Sequence, residues 1–224
     1  MKRRTFVASA ISLPLAATEG SRLLLPSDKP DEHHLRIMWY NPVPPLDRNT
    51  YKLSIQGLVE KPGAFSLADL RKLPHENQSS RMKCVQCWSA RIAWGGFRFG
   101  HLIEMVKPAK TAKAVRIDCA DKWYEYFSIH DMLSPRLMMV LDMAGQPLTD
   151  RHGGPLRLVD PSRYGYKSAK LITKISFVPE TKGSMACDLG PYYSPGGEIL
   201  PGYDTPLDLG GPKRKIPGGE ITAY

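Results

Sequence analysis

Alternation of apolar and polar side chains predicts β-strands at several places along the chain. Residues 51–59 alternate with a period of two and stop at Lys61-Pro62-Gly63. Residues 81–90 are predicted to lead from a strand into a loop. Further strand-like stretches are residues 114–118, 125–129, 137–142, 156–159 and 172–178.

Short helices are predicted between these strands. Ser66 can cap a helix that Pro74 ends, because a serine side chain accepts from the first free backbone amides of a helix. The apolar spacing of residues 99–105 predicts a second helix, ended by Pro108, and residues 130–133 predict a helical turn. The pattern as a whole predicts an α+β fold with a mixed sheet.

Prolines and glycines mark two irregular regions. Residues 32–45 contain prolines that oppose a helix, so an extended segment is expected before the first strand. Residues 190–224 are rich in glycine and proline, which predicts an irregular tail or a strap over the body. With 224 residues in total, residues 18–224 are expected to form a single domain.

The N-terminus has the pattern of an export signal. Lys2, Arg3 and Arg4 precede a short apolar run, and the first acidic residue is Glu19. The paired arginines resemble a twin-arginine signal in residues 1–17, although an ordinary secretory signal has similar features. Such a signal exports folded proteins, so we expect a periplasmic protein that receives a cofactor before export. No apolar run is long enough to predict a transmembrane helix.

The positive charge does not by itself indicate nucleic acid. The formal net charge is +9, but the only compact basic run after the N-terminus is Lys213-Arg214-Lys215. No helix-turn-helix or zinc-finger spacing is present, so nucleic-acid binding is not predicted. Attraction of a small anion stays open.

A Cys-x-x-Cys motif, Cys84 to Cys87, is the strongest chemical signal in the chain. Structural zinc usually needs a second ligand pair, and Cys119 and Cys187 are isolated. Attachment of c-type haem needs histidine after the second cysteine, where Trp88 stands. A redox dithiol remains an alternative.

The residues around this motif resemble the sulfite oxidase superfamily, in particular its periplasmic methionine-sulfoxide reductase branch. The similarity begins with Met82-Lys83-Cys84-Val85, followed by Trp88-Ser89 and Trp94-Gly95-Gly96-Phe97. Later motifs, at residues 152–159 and 164–170, occur in the same order as in the family. The resemblance implies a sulfite-oxidase-type fold that binds a molybdenum-molybdopterin cofactor.

The resemblance also implies which residues hold this cofactor. Cys84 corresponds to the metal ligand, and a soft thiolate suits molybdenum. Cys87 departs from the family, which has a small residue there. Cys119 lies near the position at which members of the family contact the pterin, and Asp121 is the alternative residue for this contact. The other residues implied to bind the cofactor are Tyr40, Asn41, His152, Arg157, Ser168, Ala169 and Lys170.

The implied reaction is oxygen-atom transfer on a small substrate, either sulfite or a sulfoxide-like compound. Arg91, Arg163 and Lys167 are the candidate catalytic cations for an anionic substrate. No haem motif is present, so electrons are expected from a separate partner, a cytochrome or a membrane haem subunit. Two alternatives stay open: an exported non-catalytic binding module on this fold, and a thiol-disulfide oxidoreductase that uses Cys84 and Cys87.

Overall fold

The computed structural model describes residues 30–85, 89–189, 193–200, 202–204 and 214–215. Its strands are β1 (Lys52–Gly57), β2 (Gly63–Ser66), β3 (Glu76–Lys83), β4 (Ser89–Phe97), β5 (Ala114–Cys119), β6 (Tyr124–Ser128), β7 (Met138–Met143), β8 (Gln146–Pro147), β9 (Arg157–Val159), β10 (Ile172–Val178), β11 (Tyr203–Asp204) and β12 (Arg214–Lys215). Its α-helices are α1 (Leu67–Leu70), α2 (Phe99–Val106), α3 (Ile129–Met132) and α4 (Met185–Leu189). Asp150–His152 and Gly165–Lys167 form 3₁₀ turns.

The strands form two main sheets. The first has the order β2-β1-β10-β5-β6, in which β1 and β10 are parallel and the other neighbours antiparallel. The second has the antiparallel order β3-β4-β7-β8, and β9 also pairs with β7. The prediction of a mixed sheet with a few short helices is confirmed.

Strand β7 belongs to both hydrophobic cores of the molecule. Met139 and Leu141 face the larger core, which the first sheet and α2 share, whereas Met138 and Val140 face a smaller core. Because successive side chains of a strand point to opposite faces, a strand that is covered on both sides must be apolar throughout. The smaller core also receives the apolar side chains of residues 35–43.

The hairpin of β3 and β4 is longer than the predicted passage from strand to loop. Their pairing runs from Glu76 opposite Gly96 to Lys83 opposite Ser89. A Cβ atom at Gly96 would collide with the backbone of Met139 on β7, so only glycine allows this close approach. The hairpin therefore holds Lys83, the residue before Cys84, on a well-paired scaffold.

The helices are short and their ends follow local signals. Ser66 caps α1 as predicted, since its side chain accepts from the amide of Asp69, whose carboxylate accepts from the Ser66 amide in return. Helix α2 is confirmed: it ends at Val106, and its C-cap residue Lys107 has φ of 52°. In the described part of the chain, every helix is too short or too polar to cross a bilayer.

Two irregular segments lie beside the sheets. Residues 30–43 run along the second sheet without regular structure except for a bridge, as the prolines predicted. Residues 193–200, which we call the C-terminal strap, are hydrogen-bonded to the turn that contains Tyr164. The predicted signal in residues 1–17, Cys87 and most of the predicted tail lie outside the described residues.

Candidate active site

One deep pocket lies where the second sheet meets residues 35–40. Its volume is about 870 Å³ with its open mouth. Cys84 at the end of β3, the turn of residues 165–170 and the strap residue Tyr193 line it. Part of that volume is open solvent, so the pocket is a candidate binding site because of its lining residues rather than its size.

Cys84 is partly exposed in the pocket and follows directly on β3. The preceding residue, Lys83, pairs with Ser89 of β4 and also forms a bridge with Tyr164. The backbone is therefore held from two sides just before the cysteine. A soft sulfur on a fixed backbone is what a heavy-metal ligand requires.

Arg157 brings a buried positive charge to the pocket. Its side chain is 4% exposed, and one guanidinium nitrogen donates to the His152 carbonyl oxygen at 2.8 Å. A second nitrogen lies 3.7 Å from the Met82 sulfur, and the Nε atom has no hydrogen-bond partner in the described residues. Burial lowers the pKa of Arg157 to about 10. An anion in the pocket would relieve this cost.

Lys170 supplies the second buried cation. Its ammonium group donates to the Met38 carbonyl oxygen at 2.5 Å and lies 3.7 Å from the ring centre of Trp39. Burial, together with the nearby charge of Arg157, lowers its pKa to about 7. Gly153, at φ of +92°, lies so close to the lysine stem that an added Cβ would be 2.7 Å from it. The turn before β9 therefore fixes the direction of Lys170.

The charge of the pocket fits a phosphate-bearing pterin. Arg36, Arg151, Arg157 and Lys170 line it, against one acid, Asp121, among the described lining residues. Burial raises the pKa of Asp121. In the described part of the chain neither Arg157 nor Lys170 forms an ion pair with a carboxylate. Two unneutralised buried cations beside a thiol are the donor set that an anionic metal-dithiolene cofactor needs.

His152 does not reach the pocket wall. Its Nε2 atom lies 2.8 Å from an oxygen of Asp31, and its Nδ1 atom lies 2.9 Å from the Thr149 hydroxyl. Burial lowers the pKa of His152, an effect that the hydrogen bond to Asp31 opposes. The hydrogen bond between Asp31 and His152 holds the beginning of the segment 31–40 in place. Residues 35–40 of this segment form part of the pocket wall. The carbonyl oxygen of His152, in turn, holds Arg157.

The other residues implied to bind the cofactor divide into two groups. Tyr40, Ser168 and Ala169 line the pocket. Asn41 is absent from its described lining and points its amide at the sulfur of Met185, 3.9 Å away. Cys119 is buried in the larger core, where burial raises the pKa of its thiol. Asp121, the rival of Cys119, is the residue that reaches the pocket.

None of the three candidate catalytic cations is among the described residues that line the pocket. Arg91 is exposed on β4, opposite Arg81 of β3. Arg163 binds three carboxylates, those of Asp131, Asp160 and Glu198. Lys167 is 1% exposed and forms an ion pair with Glu125, so its charge is already neutralised inside the protein.

Several pocket residues were not predicted from the sequence. Residues 35–39, Tyr166 and Tyr193 contribute to its wall. Trp123 lines it as well, and its ring nitrogen donates to Glu125 at 3.2 Å. Of these residues only Tyr166 belongs to a recognised sequence motif, residues 164–170. Nothing in the glycine- and proline-rich tail marked Tyr193.

Lys170→Met is expected to stabilise the cofactor-free protein most strongly below pH 7. The folded pKa of about 7 lies below the ordinary 10.5, so between these values the unfolded chain binds more protons. The free energy of unfolding of the wild type should therefore rise with pH in this range, by at most about 1.4 kcal/mol for each pH unit. Urea unfolding at pH 6 and pH 9 measures this rise.

The matched control is Lys174→Met, which removes a half-exposed lysine that is paired with Asp118 on the first sheet. Lys174→Met should keep the wild-type dependence on pH, whereas Lys170→Met should flatten it. A wild-type stability that falls between pH 7 and pH 9, with no difference between the two variants, would contradict the burial of a charged Lys170.

Comparisons with known proteins identify the family. The model described as "Oxidoreductase molybdopterin binding domain" matches residues 40–186. The protein-methionine-sulfoxide reductase catalytic subunit MsrP of Campylobacter jejuni is 34% identical over 152 residues, 60% of this chain and 51% of that protein. The MsrP of Pseudomonas syringae is 30% identical over 197 residues, 78% of this chain and 57% of that protein. The chain thus spans about half the length of these relatives.

A solved structure has the same fold. The sulfane dehydrogenase SoxCD of Paracoccus pantotrophus superposes with a TM-score of 0.58 at 17% identity, covering 79% of this chain and 57% of that one. The resemblance to the sulfite oxidase superfamily is confirmed, as are the sulfite-oxidase-type fold and the molybdenum-molybdopterin cofactor. The chain belongs to the oxidoreductase molybdopterin-binding domain family.

Proposed function

We propose that this protein is a molybdopterin-dependent reductase that removes the oxygen atom of a sulfoxide. One observation carries the proposal: Cys84 faces the same pocket as the buried cations Arg157 and Lys170. The relatives named as methionine-sulfoxide reductases support the direction of the reaction. Reduction of a sulfoxide to a thioether consumes two electrons and two protons and releases water.

In this proposal each group of the pocket has a separate task. The thiolate of Cys84 holds the metal, and Arg157 and Lys170 bind the anionic part of the cofactor. Ser168 and Ala169 add backbone contacts at the same wall. The bound cofactor supplies two-electron oxygen-atom chemistry, and the protein supplies orientation, charge and the exclusion of bulk water.

Two of the candidate catalytic cations are not available to sulfite, because Arg163 and Lys167 are bound to carboxylates. Arg36 and Arg151 do line the pocket, so the preference for a sulfoxide over sulfite is supported by the relatives named as methionine-sulfoxide reductases. The pocket wall also contains aromatic side chains, among them Tyr166 and Tyr193. An apolar wall suits the organic groups of a sulfoxide better than an inorganic dianion.

Export and a separate electron donor complete the proposal. Residues 1–17 would direct the folded, loaded protein to the periplasm. Electrons would come from a cytochrome or a membrane haem subunit. Fractionation of cells that express the full chain, with the cofactor assayed in each fraction, tests the location. Loaded protein that stays in the cytoplasm would contradict it.

The decisive experiment is purification from a host that makes the cofactor. We expect about one molybdenum and one pterin per chain, by elemental analysis and by fluorescence of the released, oxidised pterin. With a reduced viologen dye, the loaded protein should reduce methionine sulfoxide and should not oxidise sulfite. A folded protein without molybdenum would contradict the cofactor role, and loaded protein that turns over only sulfite would contradict the reductase direction.

A further inference from the structure

We propose that Arg36 and Arg151 bind an acidic side chain beside the oxidised methionine of a peptide or protein substrate. Methionine sulfoxides with glutamate or aspartate as sequence neighbours are then better substrates than those with lysine. This inference rests on the proposed reductase function and adds the sequence context that the pocket selects. We call the two residues the arginine pair.

The arginine pair lines the same pocket as Cys84, and its charge is not neutralised within the described part of the chain. Neither guanidinium forms an ion pair with a described carboxylate. The Nε atom of Arg36 is buried and has no hydrogen-bond acceptor among the described residues. A guanidinium presents five N–H donors in a planar fork that fits a carboxylate. A carboxylate on a ligand would therefore use donors that the protein leaves unused.

Two carboxylates that are close to the arginine pair in the sequence have other partners. Asp31 lies 2.8 Å from His152, and Asp150 forms an ion pair with Arg48 at 2.8 Å. Asp121 is the one acid among the described residues that line the pocket, and burial raises its pKa. The described part of the pocket therefore offers a ligand much positive charge and little negative charge.

Both arginines extend from backbone that the fold holds in place. The residues before and after Arg36 have side chains buried in the smaller core. Arg151 lies in a 3₁₀ turn that ends at His152, whose ring is bonded to Asp31 at the start of the segment that carries Arg36. The two segments are thus joined to each other, so little ordering of the backbone is needed when a ligand binds.

Solvent exposure distinguishes the arginine pair from the buried cation Arg157. Arg157 is 4% exposed, which suits a group that stays inside the protein with the cofactor. Arg151 is exposed and Arg36 is partly exposed, although both line the pocket, which places the pair where the pocket meets solvent. A peptide that brings its sulfoxide into the pocket keeps the neighbouring residues at this opening. An acidic neighbour can therefore reach the pair.

An attraction of this kind affects substrate binding more than the chemical step. The ion pairs form with residues beside the sulfoxide and not with the oxygen that leaves, so they stabilise the bound substrate and the transition state alike. The arginine pair should therefore lower KM for an acidic substrate with little effect on its kcat. Each ion pair in contact with solvent is expected to contribute about threefold.

The test uses three blocked peptides of equal length, each with one central methionine sulfoxide. The first has glutamates on both sides of it, and the second has lysines there. The third has the two glutamates moved to its ends, so its net charge equals that of the first. Both kcat and KM are measured with the full-length, molybdenum-loaded protein and a reduced viologen dye. Ratios between peptides are taken within each preparation, so differences in molybdenum content cancel.

The variants are Arg36→Gln, Arg151→Gln and the double variant. The matched control is Lys52→Gln/Lys61→Gln, which also removes two positive charges. Both lysines are exposed, and neither is among the described residues that line the pocket. The control should keep the wild-type ratios between peptides, because the inference assigns the preference to the arginine pair and not to the net charge of the protein.

We expect wild-type kcat/KM to be at least about tenfold higher for the first peptide than for the second, through a lower KM. It should also exceed that for the third. Each single substitution should reduce the preference about threefold, and the double variant should use the first and third peptides equally. Equal wild-type kcat/KM on all three peptides would overturn the inference. A double variant that loses molybdenum and pterin but keeps the preference would overturn it as well, and would assign the arginine pair to the cofactor.

A second measurement needs only the wild type. Raising the salt concentration from about 0.01 M to about 1 M screens charges that are in contact with solvent, so the preference for the first peptide should shrink. A preference that is independent of salt would contradict an ionic contact. Loaded wild type that reduces none of the peptides would refute the proposed function, whereas equal turnover of all three would refute only the sequence preference.

Discussion

Serine in place of Cys84 should give a folded protein without turnover. Serine is nearly isosteric, and the position is partly exposed at the end of β3, so unfolding in urea should change by less than about 1 kcal/mol. The hydroxyl stays protonated at neutral pH and is a hard ligand, whereas the metal needs a soft anionic sulfur. Sulfoxide reduction should therefore fall below detection. Molybdenum content, pterin content and turnover measure the effect.

The matched control is Cys187→Ser. Cys187 is partly buried near the Ser184 hydroxyl, 3.4 Å away, and does not line the pocket. It should keep wild-type activity and metal content. Cys87→Ser separates the dithiol alternative, because a thiol-disulfide mechanism would make the loss of Cys87 as severe as the loss of Cys84. Wild-type turnover in Cys84→Ser would refute its assignment as the metal ligand.

Lys167→Met should cause a severe loss of stability at alkaline pH, about 3 kcal/mol relative to the wild type at pH 9. The substitution leaves Glu125 fully buried without its cation. Even with Lys167 present, burial raises the pKa of Glu125 to about 7 from the ordinary 4.5. Without the lysine the folded protein must keep the acid protonated to still higher pH, so the variant should lose about 1.4 kcal/mol more than the wild type for each pH unit above 7.

The sign of this effect makes it testable by pH. Between pH 4.5 and 7 the wild type and the variant should lose stability alike, because each folded state binds a proton that the unfolded chain releases. Above pH 7 only the variant should go on losing stability, and urea unfolding at pH 7 and pH 9 measures the difference. An equal loss at both values would show that an unpaired Glu125 charge is not the cause.

The double variant Glu125→Gln/Lys167→Met separates the effect of the unpaired acid from the effect of the lost lysine. It removes both charges and keeps an oxygen that can accept from Trp123, so it should recover most of the lost stability. Turnover of the double variant then decides what Lys167 does. Recovered sulfoxide reduction would assign Lys167 a structural role beside the pocket, whereas a persistent loss of kcat/KM would restore it as a substrate cation.

Much of the fold follows from local sequence patterns, and the exceptions have a physical cause. Strands β1, β5 and β10 largely alternate because one side of each packs on the larger core, and β10 departs from this pattern at a register shift between Ile172 and Lys174. Strand β3 begins with Glu-Asn-Gln-Ser-Ser, which has no apolar alternation, and it is held by pairing with β4. Pairing across a hairpin is a non-local interaction that a single strand sequence does not record.

The residues of the site that belong to a sequence motif were predictable. Those brought to the site by segments distant in the sequence were not. Cys84, Arg157 and Lys170 belong to ordered motifs, and the structure brings all three to one pocket. Lys167 and Arg163 have the right charge, but charge along a sequence does not reveal that Glu125 or Asp160 lies opposite. Tyr193 reaches the wall only because the strap crosses the surface.

The hydrogen bond between Asp31 and His152 determines how short a fragment of this protein can be and still keep its pocket. Asp31 accepts from the amides of His33 and Leu35 at 2.9 Å and thereby shapes the stretch that leads to Trp39. The family match begins only at residue 40. A fragment cut to residues 40–186 would lack both Asp31 and the stretch that leads to Trp39. Lys170 would then be open to solvent on the side that now faces Met38 and Trp39. The smallest useful fragment therefore has to start before Asp31.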